Sequence, residues 1–291
     1  MTAPEITLNN GVRIPQLGLG IWQASPEETE RIVRYAIAEA GYRHIDGAKA
    51  YGNEEALGAG VRASGVPREE VFVTTKLWPT EFGHDEALAA LDASLDRLGF
   101  DYVDLYLLHW PNQDDAKRVE TWLALEEALA AGKARAIGVA NHEPHHLADL
   151  LEGGSVVPAV NQIELHPALP QRELRALDAS HGIVTQAWSP LGGGPTTPWG
   201  RLNPHGTALR ENVVLAEIAR RHGRSPVQII LRWHIQQGVV AIPKSVTEDR
   251  VAQNIDVFDF ELSAEDLEAI AGLEVPDGAG RTGTHPDDAS F

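Results

Sequence analysis

The sequence predicts an α/β fold: one (β/α)8 TIM barrel domain over residues 1–291, with an N-terminal β-hairpin and an irregular C-terminal tail. Three observations predict it. Eight short apolar or β-branched runs recur along the chain, longer stretches with helical spacing separate them, and no Pro/Ser-rich linker interrupts the alternation. At 291 residues the chain sits near the upper end for one compact domain, where barrels are found.

The elements follow in order. Ile6, Thr7 and Leu8, then Val12, Arg13 and Ile14, flank Asn10 and Gly11, a pair that tolerates the positive φ angles of a tight type I′ turn. Strand candidates lie at residues 17–19, 44–45, 71–74, 103–108, 136–139, 159–163, 183–187 and 239–242. Helical spacing covers 27–39, 85–98, 119–131, 171–181 and 212–222, among others. Ser25 before Pro26 is a helix start, and Gly41, Gly99, Gly132 and Gly182 stand where helices should stop. An open doubly wound sheet fits less well. Gly18-Leu19-Gly20 is the nearest approach to a dinucleotide fingerprint, and it lacks the third glycine and a following helix start. Residues 192–210, rich in Gly, Pro and Thr, and residues 275–291 break the rhythm, as binding loops or as slack surface.

Composition excludes several functions. The net charge of −18 argues against a nucleic-acid or anionic-membrane partner, because phosphate binding is built from Lys and Arg. With no cysteine there are no disulfides, zinc-thiolate sites or thiol nucleophiles. The first 16 residues carry no basic-then-apolar signal pattern, and no apolar run approaches the ~18 residues of a membrane span. The expectation is a soluble, cytoplasmic protein. Only five basic residues are lysines: 49, 76, 117, 133 and 244.

In a barrel, the residues at the C-terminal strand ends share one mouth. Read in order, these are Asp46, Lys76, His109 with Trp110, Asn141, Gln162, Trp188 with Ser189, and Lys244 with Ser245; Tyr51 lies in the loop after Asp46. A core strand does not end in a charged residue without a purpose. Asp46, Tyr51, Lys76 and His109 form a coherent set. A phenol near pKa ~10 is a poor acid, but a neighbouring ammonium at ~4 Å favours the phenolate by roughly 4 kcal/mol, about three pKa units. Lys76 can supply that charge, Asp46 can hold Lys76 protonated, and His109 can orient the same oxygen. The set suits a carbonyl oxygen that becomes an alkoxide.

The segments GYRHIDGAKAYGNE, TTKLW, DLYLLHWP, AVNQIELHP, AWSPLG and IPKSVTEDRVAQNIDVFDFEL resemble the signature segments of the aldo-keto reductase superfamily, in order and over essentially the whole chain. Closest in texture are the bacterial 2,5-diketo-D-gluconic acid reductases, which this chain resembles in AVNQIELHP, AWSPLG, LRWH and a GR…HPD tail. The resemblance implies a barrel binding extended NADPH (or NADP+) without a Rossmann fold, with hydride passing from nicotinamide C4 to a small carbonyl substrate. It implies Tyr51 as general acid, Lys76 and Asp46 as its tuning pair, and His109 as the orienting residue. Asn141 and Gln162 would hold the carboxamide, Trp188 would stack on the ring, and Ser189, Leu191 and Gly192 would follow the pyrophosphate. Lys244, Ser245 and Arg250 would take the 2′-phosphate, with Gln253 and Asn254 near adenine; Gly20, Ile21, Trp22 and Val246 would complete the cofactor cleft. A monomer is the family's usual state. Three positions depart from the pattern. Ala140 replaces a common serine and removes one carboxamide hydrogen bond, Gly47 replaces threonine and should loosen the loop to Tyr51, and His142 replaces an aromatic residue.

Blander readings stand beside these. Asp46 with Lys76 could be a structural ion pair, and Tyr51 or His109 alone would be ordinary packing. Trp22, Trp78, Trp110 and Trp188 could plug the mouth; as walls of a substrate pocket beside His109 they would exclude water. Trp122 and Trp233 read as helix-to-barrel packing, and Trp199 carries no expectation. His142, His145 and His146 have ligand-like spacing but no identifiable carboxylate partner, so they read as a solvated face and no metal site is expected. Asp114-Asp115 and Asp287-Asp288 read as solvated loops. Two other functions fit parts of the pattern: a Schiff-base aldolase using Lys76, and a cofactor-binding, redox-sensing subunit with little turnover.

Overall fold

A computed structural model describes residues 3–193 and 209–289; residues 194–208 of the irregular loop, with Trp199, and the last two residues of the tail lie outside it. Strands β1 (Glu5–Thr7) and β2 (Arg13–Pro15) pair antiparallel, with Ile6 opposite Ile14. The expected two-residue turn is a three-residue loop instead. The Leu8 amide donates to Val12 O at 2.8 Å, the Gly11 amide donates to Leu8 O at 2.9 Å, and Gly11 alone in the loop has positive φ, +87°. A type I′ turn needs two such residues, and Asn10 is not one of them. The asparagines are used otherwise: Asn9 donates to Pro158 O and Asn10 to Arg135 O, tying the hairpin to neighbouring strands.

The parallel strands β3 (Leu19–Gly20), β4 (His44–Asp46), β5 (Phe72–Leu77), β6 (Val103–Leu108), β7 (Ala134–Ala140), β8 (Val160–Glu164), β9 (Val184–Trp188) and β10 (Val240–Ala241) follow one another in spatial order. Parallel bridges Leu17↔Ala241 and Gly20↔Lys244 join first to last and close the barrel. Helices α1 (Pro26–Ala38), α2 (Glu54–Ala63), α3 (His84–Leu98), α4 (Asp115–Ala130), α5 (Pro144–Gly153) and α6 (Arg172–Ser180) connect successive strands. α7 (Val213–His222) and α8 (Pro226–Gln236) precede β10, and α9 (Glu248–Ile255) and α10 (Ala264–Ala271) follow it. The caps match the sequence. Ser25 forms a capping box with Glu28, and Gly99 ends α3 at φ +68°.

Strand alternation sorts the core into two clusters. Phe72, Leu105, Leu107, Ala136, Ala140 and Val160 point into the barrel, where Leu8 and Ile14 of the hairpin seal one end. Val73, Tyr106, Leu108, Ile137 and Val139 point outward against the helices, joined by Trp122 of α4 and Trp233 of α8, both buried as expected. Burying Leu8 and Ile14 contributes about 1.5–3 kcal/mol each, so the hairpin is a structural plug. The parity that turns Phe72 inward also turns Lys76 inward; it does the same for Asp46, Gln162, Glu164, Gln186 and Trp188 on their strands. The polar residues at the mouth are therefore the top layer of the barrel interior.

Candidate active site

Asp46, Tyr51 and His109 line a cavity of about 670 Å³ together with Trp22, Trp78, Trp110, Trp188, Lys49 and Lys244, and Lys76 lies fully buried behind them, bonded to Asp46 and Tyr51. Lys76 Nζ, fully buried, donates to Asp46 Oδ1 at 2.6 Å, Gly47 O at 2.8 Å and Tyr51 Oη at 3.2 Å. Its three donors are thus all used, one of them on the phenol. Burial alone would lower the lysine pKa, but Asp46 and Tyr51 together outweigh it and hold the ammonium above its ordinary value. A neutral amine nucleophile, as an aldolase would need, is disfavoured.

Tyr51 departs from the sequence expectation. Burial pushes its hydroxyl above the ordinary phenol value; Lys76 pulls down, while Asp46 offsets part of that pull. The tyrosine is held protonated at rest rather than poised as a phenolate. His109 is driven well below its ordinary value, by burial first and then by Lys76, so its imidazole is neutral. Its Nδ1 is buried without a hydrogen-bond partner, which leaves Nε2 as the ring's polar atom toward the cavity. The ring packs edge-on against Tyr51 at 5.6 Å and Trp78 at 5.2 Å.

A buried polar chain, which the sequence did not reveal, supports this set. Gln162 Nε2 donates to Asp46 Oδ2 at 2.7 Å and Gln186 Oε1 at 2.8 Å; Gln186 Nε2 faces His44 Nε2 at 3.4 Å, and His44 Nδ1 reaches Pro15 O at 3.1 Å. Burial lowers the His44 pKa to about 4, so the ring is neutral and both its nitrogens are used. Inward parity on β4 and β9 was the available signal for His44 and Gln186. Gly47, expected to loosen the loop, is pinned: its amide donates to Thr74 O at 3.0 Å, its carbonyl accepts from Lys76, and a Cβ would come 2.6 Å from Leu57.

A model of the aldo/keto reductase family matches residues 16–275. The chain belongs to the aldo/keto reductase family. An aldo-keto reductase of Mycolicibacterium smegmatis is 53% identical over 272 residues, 94% of each chain. A glyoxal reductase of Bacillus subtilis is 46% identical over 287 residues, covering 98% of this chain and 97% of its own. A crystal structure of a Gox0644 variant in complex with NADPH superposes with TM-score 0.90 at 40% identity, covering 100% of both chains. The barrel is an aldo/keto reductase barrel, and the protein is an oxidoreductase. No helix among the described residues is long and apolar enough to cross a membrane.

In this reductase the remaining expected residues fall into three groups. Gly20, Trp22, Asn141, Gln162, Trp188, Ser189 and Lys244 line the cavity. Asn141 and Ser189 adopt left-handed backbone at φ +61° and +45°, strain of about 1–3 kcal/mol each that the surroundings must hold. Asn141 Nδ2 donates to His109 O at 2.9 Å and Oδ1 accepts from Trp188 Nε1 at 2.8 Å, while His234 of α8 holds Pro190 O. Ser245, Val246, Arg250, Gln253 and Asn254 lie beyond Lys244, in the turn and helix of α9: Arg250 and Gln253 are exposed, Asn254 and Ser245 buried. The third group, Ile21, Leu191 and Gly192, is not among the residues lining the cavity. The Ile21 side chain is in the core, Leu191 packs against that core, and a Cβ added at Gly192 would meet Leu209. Gln162 has spent its amide hydrogens, leaving only Oε1 for a ligand.

The histidines after β7 are not a solvated face: His142 and His146 are buried and only His145 is exposed. Their missing carboxylate is Asp287 of the tail, whose Oδ1 lies 3.3 Å from His145 Nε2 and 3.7 Å from His146 Nε2. The three groups lie close enough to hold a cation. The Glu143 amide, however, donates to His146 Nδ1 at 3.2 Å, which places the neutral ring's proton on Nε2, where a metal would bind. The cluster anchors the tail, together with Gln113, which donates to Ala289 O. Asp114 likewise is no loose loop residue; it caps α4.

Proposed function

We propose that this aldo/keto reductase is an NADPH-dependent carbonyl reductase of small aldehydes and ketones, dicarbonyls and keto-sugar acids such as 2,5-diketo-D-gluconate among them. The observation that carries it is the buried Lys76 ammonium, bonded at once to Asp46 and to the hydroxyl of Tyr51, both of which line a tryptophan-walled cavity. The glyoxal reductase among its relatives supports dicarbonyl substrates, and the NADPH complex supports the cofactor. The donor set fits that cofactor. Asn141 and Gln162 line the cavity and keep acceptor oxygens for a carboxamide, the Trp188 indole lines it with them, and Lys244 with Arg250 offers exposed positive charge beyond the rim for a 2′-phosphate. The reading includes one barrel domain acting as a cytoplasmic monomer, with no nucleic-acid partner.

When bound, NADPH supplies a hydride to the carbonyl carbon. The chain's residues do the rest. His109, neutral, donates from Nε2 to the carbonyl oxygen and aims it at Tyr51. As negative charge builds there, the Tyr51 O–H bond breaks and its proton goes to the oxygen, leaving a phenolate. The upward-shifted tyrosine pKa keeps the proton in place until an alkoxide, a far stronger base, demands it. Lys76 then stabilises the phenolate from 3.2 Å, and Asp46 keeps Lys76 charged. The four tryptophans exclude water from the developing charge.

The test mixes the protein with NADPH and a panel of carbonyls including methylglyoxal and 2,5-diketo-D-gluconate, following cofactor absorbance. Tyr51→Phe should lower kcat by about 10²–10⁴ while NADPH binding persists. No cofactor oxidation with any substrate, despite tight NADPH binding, would refute the reductase reading and support a redox-sensing subunit.

A further inference from the structure

Glu164 ends β8 on the inward face, opposite Trp188 in the register of β8 and β9. Its carboxylate is fully buried, and among the described residues neither Lys nor Arg pairs with it. It is spent on the C-terminal segment. Oε1 accepts from the Thr282 amide at 2.6 Å and the Thr282 hydroxyl at 2.5 Å, with His166 Nε2 at 3.2 Å; Oε2 accepts from the Gly283 amide at 2.9 Å. Burial pushes the carboxyl up, but His166 and these bonds outweigh it and keep it ionised below its ordinary value.

Gly283, held this way, lies against the indole. A Cβ added there would come 2.5 Å from Trp188 Cη2 and 3.0 Å from Glu164 Oε2. The pyrrole end of the same indole is tied by its Nε1–H to Asn141 Oδ1 at 2.8 Å. The ring that walls the cavity is thus fixed at both ends, by Asn141 on β7's exit and by a tail segment whose amides Glu164 receives. Glu164 itself does not line the cavity.

We propose that Glu164 is a positioning residue: by clamping Thr282 and Gly283 onto the edge of Trp188, it holds the indole in the orientation that receives the nicotinamide ring. The proposal rests on the reading of Trp188 as that platform. It assigns the C-terminal segment a part in cofactor binding without any contact to the cofactor.

The test uses the full chain, with Glu164→Gln, Thr282→Val and Gly283→Ala, each alone and the last also with Trp188→Ala. Amide hydrogen exchange without cofactor reads the clamp, and calorimetric NADPH Kd reads the platform. Glu164→Gln sets an amide NH2 against backbone donors, so exchange at residues 282–283 should rise at least about tenfold. Its NADPH Kd should rise about tenfold as the platform shifts. Thr282→Val removes one donor and should give smaller changes in both, which keeps the test open if Glu164→Gln does not fold. Gly283→Ala should raise Kd comparably while the Thr282 amide stays protected, and should add less than about twofold to Kd once Trp188 is Ala. A freed tail with unchanged Kd, or a Gly283→Ala penalty that persists in full without the indole, would overturn the proposal. Failure of the wild-type protein to bind NADPH at all would instead sink the functional reading beneath it.

Discussion

Replacing Asp46 by Asn tests the proton-donor assembly at its most load-sensitive contact. The change keeps the shape and removes one charge from beside a fully buried lysine whose nearest carboxylate oxygen is 2.6 Å away. With charge centres about 4 Å apart and an effective dielectric of ~20, the lost attraction is about 4 kcal/mol, or about three pKa units. Losing that attraction acts to lower the Lys76 pKa and favours its deprotonation as pH rises. The Asn amide also faces a donor on either side, Lys76 or Gln162. The kcat for carbonyl reduction should fall about 100-fold at pH 7, and fall further as pH rises and Tyr51 loses its charged neighbour. Stability should drop by about 3–5 kcal/mol, because a buried cation is left unpaired. Asp46→Asn with Lys76→Met should recover much of that stability and none of the activity. In the wild type Lys76 is raised in the folded state, so the pair's contribution is present below the lysine's ordinary value and is lost only as pH climbs through the folded one. The assays are kcat over pH 6–9 and urea denaturation of the wild type and both variants. A single variant retaining kcat within about threefold, with an unchanged pH profile, would refute the role given to Asp46 and Lys76.

Three further outcomes are expected. Lys244→Met should weaken NADPH about tenfold and leave NADH unchanged, as read by calorimetry; equal losses for both would remove Lys244 from the 2′-phosphate. Asp178 is buried, accepts from Thr185 and Asn161, and burial raises its pKa to about 7. Its folded form keeps a proton that the unfolded chain has released, so stability should fall as pH rises from about 4 to 7, by at most about 4 kcal/mol, and Asp178→Asn should flatten that slope; equal slopes in urea titrations at pH 5 and 8 would contradict it. Gly58 of α2 leaves no room for a side chain, a Cβ coming 1.9 Å from Leu98 O, so Gly58→Ala should cost about 3 kcal/mol and lower Tm by on the order of 10 °C; a shift under ~2 °C would mean that α2 slides freely.

The parts legible in the sequence were those governed by local rules. β5 and β6 read as apolar runs that end in Lys76 and just before His109, because a strand that stops being hydrophobic at a fixed place betrays the barrel mouth. The seam strands β3 and β10 were legible as runs but are only two residues long, since ring closure rather than composition sets their ends. α2 was not among the helical runs read from spacing; it contains Gly58 and Gly60 and is seated by close contact with Leu98 and Val33. Contacts between distant segments left no trace in spacing. Nothing near Glu164 announces Thr282, and nothing near His145 announces Asp287. The sign of the Tyr51 shift was also out of reach, because it depends on how deeply the phenol is buried once the tryptophans pack.

The seam has one more consequence. Gly20 and Lys244, which bridge across it, both border the cavity, yet they come from opposite ends of the chain. During synthesis the ribosome releases Tyr51, Lys76 and His109 long before Lys244. Pairings between such distant segments are the slowest to form, so ring closure is a late event in folding. The segments that carry Tyr51, Lys76 and His109 therefore precede by many residues the strand that closes the ring. The cavity's border at Gly20 and Lys244 is complete only once the ring has shut.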